Sequence, residues 1–299
     1  NPRFPRLSAS YCLKTEKPCI CSLADCRAPT IIVVMKLYLF GPLRLEIDGR
    51  IQLLTGSPAA LLGLLGLQGA AGYAATRTRL AGTLWPDVDE ERARHLLSNT
   101  LYRLRRQLGT SVAHLTITPD SLALHDVWLD TAVFRQKLAS DELEDWQAAL
   151  ALYTGDLLEE MDPFWLLSQR AELRELYLTG LDRTCQALLE QERLNEALAI
   201  AHRWTLADPL NEAAHATAIR LYARLGRYAA ALQQYEMLIQ ILADELDVAP
   251  LPETAALVAE LRDQRQTAVP TQEVPPLLIG REAERGRLLT QLERLADGR

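Results

Sequence analysis

The chain has 299 residues, of which 48% are hydrophobic and 24% charged, and its formal net charge is −7 at pH 7. This length and apolar content are enough to bury a core and predict two domains. No apolar run reaches the roughly 18 residues of a membrane span, so we expect a soluble protein without membrane contact. The acidic total argues against indiscriminate binding to nucleic acid, although the distribution of charge is more informative than its sum.

Positive and negative charges are unevenly distributed along the chain. Residues 35–134 carry 10 Lys and Arg against 9 Asp and Glu, whereas residues 135–270 carry 12 against 23. Five of the ten basic residues of the first segment lie between Arg92 and Arg106. A near-neutral segment can bind a duplex if its positive charges share one face. The acidic segment would be repelled by phosphates and suits a protein partner.

The first 34 residues differ from the rest of the chain. They contain four of the five cysteines, which are Cys12, Cys19, Cys21 and Cys26. Their spacing fits no standard zinc pattern and no histidine is near, so no metal is assigned. The segment also lacks the apolar core of a secretory signal. Because a strand pattern begins at Met35, we expect residues 1–34 to be a disordered leader or an upstream translation artefact. The remaining Cys185 then fits a reducing, cytoplasmic location.

A small antiparallel sheet is predicted next. Short alternating runs occupy residues 36–40, 43–47 and 50–54. Asp48-Gly49 between the second and third runs is a strong signal for a two-residue hairpin turn.

Two helices are predicted after the sheet. Ser57 and Pro58 supply an N-cap and a first-turn proline for a helix that runs through Leu67. Thr76 is a candidate cap for a second helix, which Pro86 stops near position 85.

The third helix is predicted over residues 89–108, followed by Gly109. At 100° per residue one narrow sector of this helix is apolar. That sector contains Ala93, Leu97, Leu101, Leu104 and Leu108. The opposite sector contains Arg92, His95, Asn99, Tyr102 and Arg106, with Arg103 on its flank and Arg94 and Arg105 to the side. Arg and Asn side chains bond bidentately to guanine and adenine edges, and a helix fits a major groove. Taken alone, such a face is also typical of a solvated basic helix surface.

Residues 114–125 predict two short strands around a turn at residues 118–121. A sheet, three helices and a terminal hairpin form the order of a winged helix-turn-helix, in which the third helix enters the major groove and the hairpin touches a neighbouring backbone. Winged helices that contact proteins are the alternative.

We assign base contacts to Arg92, Asn99 and Arg106, and phosphate contacts to Arg103 and Arg105. The further candidate DNA-binding residues are His95 and Tyr102 on the same helix, Arg77 on the second helix, and Thr116, Thr118 and Ser121 in the wing.

Residues 130–261 are almost wholly helical by pattern and contain an internal repeat. Arg193, Ala197 and Leu198 recur 34 positions later as Arg227, Ala231 and Leu232. This is the tetratricopeptide period, in which small residues let paired helices approach closely. Stacked repeats form a concave surface for a peptide or another protein. An ordinary helical bundle is the alternative.

Five motifs, taken together, resemble one family. They are Leu39-Phe40-Gly41, Leu84-Trp85-Pro86-Asp87, the segment from Leu101 to Arg106, the segment from Tyr153 to Leu158, and residues 221–226 with 231–235. Over residues 35–261 the chain resembles transcriptional activators of the Streptomyces antibiotic regulatory protein type, which have an OmpR-like winged helix followed by a bacterial transcriptional activator domain. The resemblance implies binding to direct repeats near a promoter, usually as more than one protomer, and contact with RNA polymerase.

The resemblance divides the chain into four parts. They are the leader at 1–34, an OmpR-like winged-helix domain at 35–129, a bacterial transcriptional activator domain at 130–266, and a linker with a truncated ATPase lead-in at 267–299. The last part resembles the approach to a signal-transduction ATPase in larger members of this class, so we expect an N-terminal piece of a longer regulator. The chain contains no G-x-x-x-x-G-K-[ST] motif, and we assign no nucleotide or other cofactor.

The chain departs from the family before its first helix. Members commonly have Lys or Arg there, whereas residues 53–58 are uncharged. A phosphate contact is therefore missing, and Arg77 and Arg79 of the second helix offset part of the loss.

Two other functions compete with a sequence-specific regulator. A helical-repeat adaptor with a winged helix that does not bind DNA would show no salt-sensitive retention on duplex DNA. An enzyme is not expected, because the histidines stand in no recognisable nucleophile, metal or phosphate motif. Those considered are His95, His125, His202 and His215, of which the last two are expected to be packing or surface residues on repeat helices.

Overall fold

The computed structural model describes residues 35–69, 74–161, 164–268 and 286–287. The leader at 1–34, with its four cysteines, lies outside the described residues, as does most of the linker and ATPase lead-in at 267–299.

The chain begins with the expected antiparallel sheet. Its first strands are β1 (Met35–Tyr38), β2 (Arg44–Ile47) and β3 (Arg50–Leu53). The pair Ile47 and Arg50 closes the β2–β3 hairpin. Both turn residues have positive φ, 49° at Asp48 and 78° at Gly49, which is the backbone of a type I′ turn and matches the twist of the strands. The predicted hairpin is confirmed.

The first helix, α1 (Gly56–Gly69), is apolar on nearly all sides. It packs between the sheet and the rest of the core. Gly63 and Gly66 allow this, because an added Cβ would lie 2.7 Å from Leu158 Cδ1 at the first position and 2.9 Å from Leu37 Cδ2 at the second. The prediction that Ser57 is the N-cap is wrong. The chain enters the helix at Gly56, whose φ of +67° is a conformation that glycine adopts without steric cost.

The next two helices, α2 (Arg77–Leu84) and α3 (Glu90–Leu108), begin and end as predicted. The Thr76 hydroxyl accepts a hydrogen bond from the Arg79 backbone N–H at 3.3 Å. The Asp89 carboxylate caps α3 by accepting from the Arg92 N–H at 3.0 Å. Gly109, with φ of +57°, follows the last turn. Each cap satisfies a backbone donor that has no partner within its helix.

A second sheet contains the strands β4 (Ala75–Thr76), β5 (Leu115–Ile117) and β6 (Ser121–Leu124), with a 3-10 helix at Gly109–His114 before β5. A further strand, β7 (Val127–Leu129), belongs to the first sheet. Of these strands, β4 and β7 were not predicted. The hairpin β5–β6 is the expected wing, and β4 pairs with the other edge of β6. Strand β7 returns to the first sheet and pairs parallel with β1. With two and three residues, β4 and β7 are too short to show an alternating pattern.

The remaining chain is helical, as predicted. The helices are α4 (Asp130–Leu138), α5 (Leu143–Leu152), α6 (Leu167–Glu190), α7 (Leu194–Ala207), α8 (Glu212–Arg224), α9 (Tyr228–Leu246) and α10 (Pro252–Ala268). Arg193 and Arg227 stand immediately before α7 and α9, and Ala197 and Ala231 are buried at equivalent places on these helices. The small residues of the 34-residue repeat therefore lie where α6 packs on α7 and α8 packs on α9.

The sheet part and the helical part share one hydrophobic core, which includes residues from Met35 to Leu221. The Phe40 ring lies 5.2 Å from that of Phe134 and 4.7 Å from that of Tyr153. The Leu158 N–H donates to the Leu39 carbonyl at 2.8 Å. Leu158 is fully buried at a φ of +49°, which is unusual for a branched residue and persists only where the surroundings determine it. Its side chain touches α1 at Gly63, so the joint between the two parts is tightly packed.

Candidate nucleic-acid interface

One side of α3 is anchored in the core. Ala93, Leu97, Leu101, Leu104 and Leu108 are all buried, and none is more than 6% exposed. Thr100 beside them is buried as well. The apolar sector predicted from the helical period is therefore confirmed, and it fixes which face of α3 points outward.

The opposite side of α3 is open to solvent. The residues predicted there, all exposed, are Arg92, His95, Asn99, Tyr102, Arg103 and Arg106. The Tyr102 side chain is 63% exposed, which is high for an aromatic residue. Arg92, Asn99 and Arg106 follow one another at intervals of seven, so they form a line along the helix about 21 Å long at 1.5 Å per residue. Their exposure is confirmed, and their contacts with bases remain a prediction.

The arginines at the sides of this face differ in their surroundings. The Arg94 guanidinium lies 2.6 Å from the Glu90 carboxylate one turn earlier. Both side chains are more than half exposed, so this ion pair contributes little to stability and can exchange partners. Arg105 borders a shallow pocket of about 410 Å³ with Tyr102 and Arg106 at the end of the helix.

The wing hairpin uses its polar side chains internally. The Thr118 hydroxyl accepts a hydrogen bond from the Ser121 backbone N–H at 2.8 Å and lies 2.9 Å from the Ser121 hydroxyl. The Thr118 N–H donates to the Ser121 carbonyl at 2.9 Å. Both side chains are half-buried, whereas Thr116 on β5 is exposed. Thr118 and Ser121 thus close the wing turn, and a phosphate contact would be a second role for them.

Arg77, at the start of α2, is joined to the same turn. Its backbone N–H donates to the Asp120 carbonyl at 2.9 Å, and its side-chain Nε donates to the Thr118 carbonyl at 3.2 Å. The side chain is half-buried, whereas that of Arg79 is exposed. No local sequence pattern connects Arg77 with the wing, because the two segments are 41 residues apart.

A cleft of about 640 Å³ separates the wing turn from α3. Its lining residues are Thr76, Arg77, Thr78, Arg94, Leu97, Ser98, Pro119 and Asp120. Two arginines and three hydroxyl groups line this cleft, and side chains of these types contact phosphates in protein–DNA complexes. The Asp120 carboxylate is a negative charge on its rim that sequence reasoning missed. It would disfavour phosphate on the wing side of the cleft.

The histidines and the cysteine of the helical part are engaged in packing. The His202 ring accepts or donates a 2.7 Å hydrogen bond with the Tyr222 hydroxyl. His215 is buried and bonded to the Pro209 carbonyl and the Gln234 amide. Cys185 is buried, and burial raises the pKa of its thiol to about 11. The prediction that His202 and His215 are packing residues agrees with these contacts.

The described residues contain neither a metal-binding cluster nor a membrane-spanning helix. Across residues 35–69, 74–161, 164–268 and 286–287, no cluster of three or more His, Cys, Asp or Glu side chains is placed to hold a metal ion. Within the same part of the chain, no helix combines the length and apolarity needed to cross a membrane.

Comparison with known proteins gives three results. Residues 131–262 match the family model of the bacterial transcriptional activator domain. The chain is 29% identical over 230 residues to the regulatory protein AfsR of Streptomyces coelicolor, covering 73% of this chain and 23% of that protein. It is 28% identical over 269 residues to the regulatory protein AfsR of Streptomyces griseus, covering 83% of this chain and 27% of that protein. The chain thus spans about a quarter of the length of these relatives.

A solved structure has the same fold. It is Mycobacterium tuberculosis EmbR in complex with a low-affinity phosphopeptide, with a TM-score of 0.58 and 22% sequence identity, covering 78% of this chain and 65% of that chain. At this identity the likeness concerns the fold alone.

The fold and these matches define a class of protein, a winged helix followed by a tetratricopeptide-like helical domain. Residues 131–262 of the helical part match the bacterial transcriptional activator domain, and in its domain arrangement the chain is similar to regulators of the Streptomyces antibiotic regulatory protein type. The resemblance drawn from the five sequence motifs is confirmed.

Proposed function

We propose that this chain is a sequence-specific DNA-binding transcriptional activator. Residues 35–129 act as the DNA-binding domain and bind promoter repeats, with more than one protomer on the DNA. Residues 130–266 act as the activator domain and contact RNA polymerase or another protein. The observation that supports this most is the exposed line of Arg92, Asn99 and Arg106 on a helix whose other side is held in the core.

The site residues take different roles in this proposal. Arg92, Asn99 and Arg106 contact base edges in the major groove, where Arg and Asn form bidentate hydrogen bonds. Arg103 and Arg105 contact phosphates, and these contacts fix the register without reading the sequence. His95 and Tyr102 extend the outward face of α3. In the wing, the exposed Thr116 contacts the DNA backbone.

The distribution of charge also supports separate roles for the winged-helix part and the helical part. Half of the basic residues of residues 35–134 lie on α3, whereas the acidic residues outnumber the basic ones by 23 to 12 in residues 135–270. The helical part would therefore be repelled from the duplex. This orients α3 towards DNA and leaves the helical repeats for a protein.

The test is selection from a random duplex library by the purified chain, with retention measured across salt concentrations. We expect one recurring sequence, in repeated copies, and retention that falls as salt rises with a slope proportional to the number of phosphates contacted. The matched control is the double variant Asn99→Ala, Arg106→Ala, which changes only exposed positions and should fold while losing the recurring sequence. Retained fragments with no common sequence, or no retention at low salt, would instead favour a protein adaptor.

Contact with RNA polymerase needs its own measurement. Transcription in vitro from a promoter carrying the selected sequence should rise when the chain is added. No rise in transcription with the full chain bound to that sequence would contradict the role proposed for the helical part.

A further inference from the structure

Side-chain hydrogen bonds close the wing turn at residues 118–121. In an ordinary β-turn the carbonyl of the first residue accepts from the backbone N–H of the fourth. Here the Ser121 N–H donates to the Thr118 hydroxyl instead, at 2.8 Å. Such side-chain bonds compete with the backbone pattern. The Thr118 carbonyl accepts from Arg77 Nε at 3.2 Å, so a side chain from α2 completes a turn of the wing.

Arg77 holds the turn through a second contact. Its backbone N–H donates to the Asp120 carbonyl at 2.9 Å, so one residue binds two carbonyls of the four-residue turn. The strand that precedes it is short, since β4 pairs with β6 only at Ala75–Leu122 and Thr76–Ser121. Arg77 therefore extends the connection between α2 and the wing beyond the end of the strand pairing.

The connection bears on the cleft between the wing and α3. Arg77 lies on its wall, with Arg94 and Ser98 of α3 and with Pro119 and Asp120 of the turn. Helix α2 packs directly against α3. Because the turn is bound to α2 and α2 packs on α3, the distance between the turn and α3 is set. This distance is the width of the cleft.

We infer that Arg77 is a positioning residue, which clamps the wing turn at a set distance from α3 and does not itself bind phosphate. Its effect on DNA rests on the proposed function, whereas the clamp is a property of the chain without DNA. Arg79 is the natural comparison, because it carries the same charge two residues later and its side chain is exposed.

Three variants separate charge from clamping. Arg77→Lys keeps the positive charge but places a methylene where arginine has Nε, so it loses the donor to Thr118. Arg77→Ala loses both the charge and the donor. Arg79→Ala loses charge alone. Each is made in the full chain, and circular dichroism together with exchange of the core amides of α6 and α7 verifies that it folds.

The first measurement is amide hydrogen exchange in the wing turn without DNA. We expect the Ser121 and Thr118 amides to exchange about two- to tenfold faster in Arg77→Lys and Arg77→Ala, as for loss of one hydrogen bond, and at the wild-type rate in Arg79→Ala. Unchanged exchange in Arg77→Lys and Arg77→Ala would overturn the clamp. This result does not depend on DNA binding, so it stands even if the wild type proves not to bind DNA.

The second measurement is the salt dependence of binding to the selected sequence. We expect Arg77→Lys and Arg77→Ala to bind several-fold more weakly with the wild-type slope, because the wing is misplaced while the phosphate contacts remain. Arg79→Ala should lower the slope by about 0.9, as for one lost phosphate contact. A slope lowered equally by Arg77→Ala would make Arg77 a phosphate ligand and overturn its assignment as a positioning residue.

Discussion

Asp130 and Leu39 join the two parts of the chain, because both carboxylate oxygens of Asp130 lie within 2.8 to 2.9 Å of the Leu39 backbone N–H. The same carboxylate accepts from the Phe40 N–H at 3.0 Å and from the Thr131 N–H at 2.7 Å. Asp130 is 1% exposed. Burial raises the pKa of Asp130 even though these N–H donors oppose the shift. The side chain thus serves as a buried acceptor for the successive backbone N–H groups of Leu39 and Phe40.

The change Asp130→Asn should lower the free energy of unfolding by about 1 to 3 kcal/mol, because the amide nitrogen cannot accept and leaves a buried N–H without its partner. Urea unfolding followed by circular dichroism measures this loss as a lower midpoint. Asp126→Asn is the matched control, since the Asp126 side chain is 88% exposed and asparagine tolerates its positive φ. Equal midpoints for Asp130→Asn and the wild type would contradict the role of this carboxylate.

Gly63 tests the packing of α1 against the helical part. In Gly63→Ala the new Cβ would lie 2.7 Å from Leu158 Cδ1, and Leu158 is fully buried and has little room to move. We expect a loss of about 1 to 3 kcal/mol from overpacking, again measured by urea unfolding. Gly82→Ala serves as the control because an added Cβ there meets nothing within 4 Å. It should stabilise α2 by about 0.5 to 1 kcal/mol, so both variants shifting in the same direction would refute the packing argument.

His215 should make stability depend on pH. The Pro209 carbonyl can only accept, so Nε2 carries the proton, and Nδ1 accepts from the Gln234 amide at 2.8 Å. Burial lowers the pKa of His215 from its usual 6.5, against the opposing effects of those bonds and of Glu212 and Asp208. The neutral form is therefore favoured in the folded state. As pH falls below about 6.5 the unfolded chain takes up a proton first, and the free energy of unfolding falls until the folded state is protonated as well.

The measurement is urea unfolding from pH 8 to pH 5. His215→Gln should show a smaller decline than the wild type over the range just below pH 6.5. His95→Gln removes an exposed histidine and should retain the wild-type decline. If both variants declined alike, His215 would not be the source of the pH dependence.

Neighbouring arginines on α3 distinguish reading of bases from contact with phosphates. Arg106→Ala should weaken binding to the selected sequence by about 1 to 3 kcal/mol and relax the preference at one position. Arg105→Ala should weaken binding about equally for all sequences and lower the salt slope by about 1. Fluorescence anisotropy with the selected duplex and its single-base variants measures both. If Arg105→Ala relaxed the base preference and Arg106→Ala lowered the salt slope, α3 would be rotated from the predicted orientation.

The sequence predicted the outward face of α3 because helix periodicity, the Asp89 cap and Gly109 are all local signals. The Asp48-Gly49 hairpin was predicted for the same reason. In contrast, the β7–β1 pairing and the Asp130–Leu39 bond join positions about 90 residues apart, and no local pattern encodes them. The Arg77–Thr118 bond was missed because the sequence does not distinguish an arginine that binds a phosphate from one that binds a backbone carbonyl. The positive φ of Leu158 was equally hidden, since leucine carries no signal for that conformation.

The shared core has a consequence for chimeras. A fusion that joins residues 35–129 of this chain to the helical part of another regulator would separate Leu39 from Asp130 and Gly63 from Leu158. A transplant of residues 35–129 alone should therefore be unstable, because Asp130 and Leu158 of the helical part belong to the same joint. Exchange of the outward residues of α3 alone is the smaller graft, because those side chains leave the joint untouched.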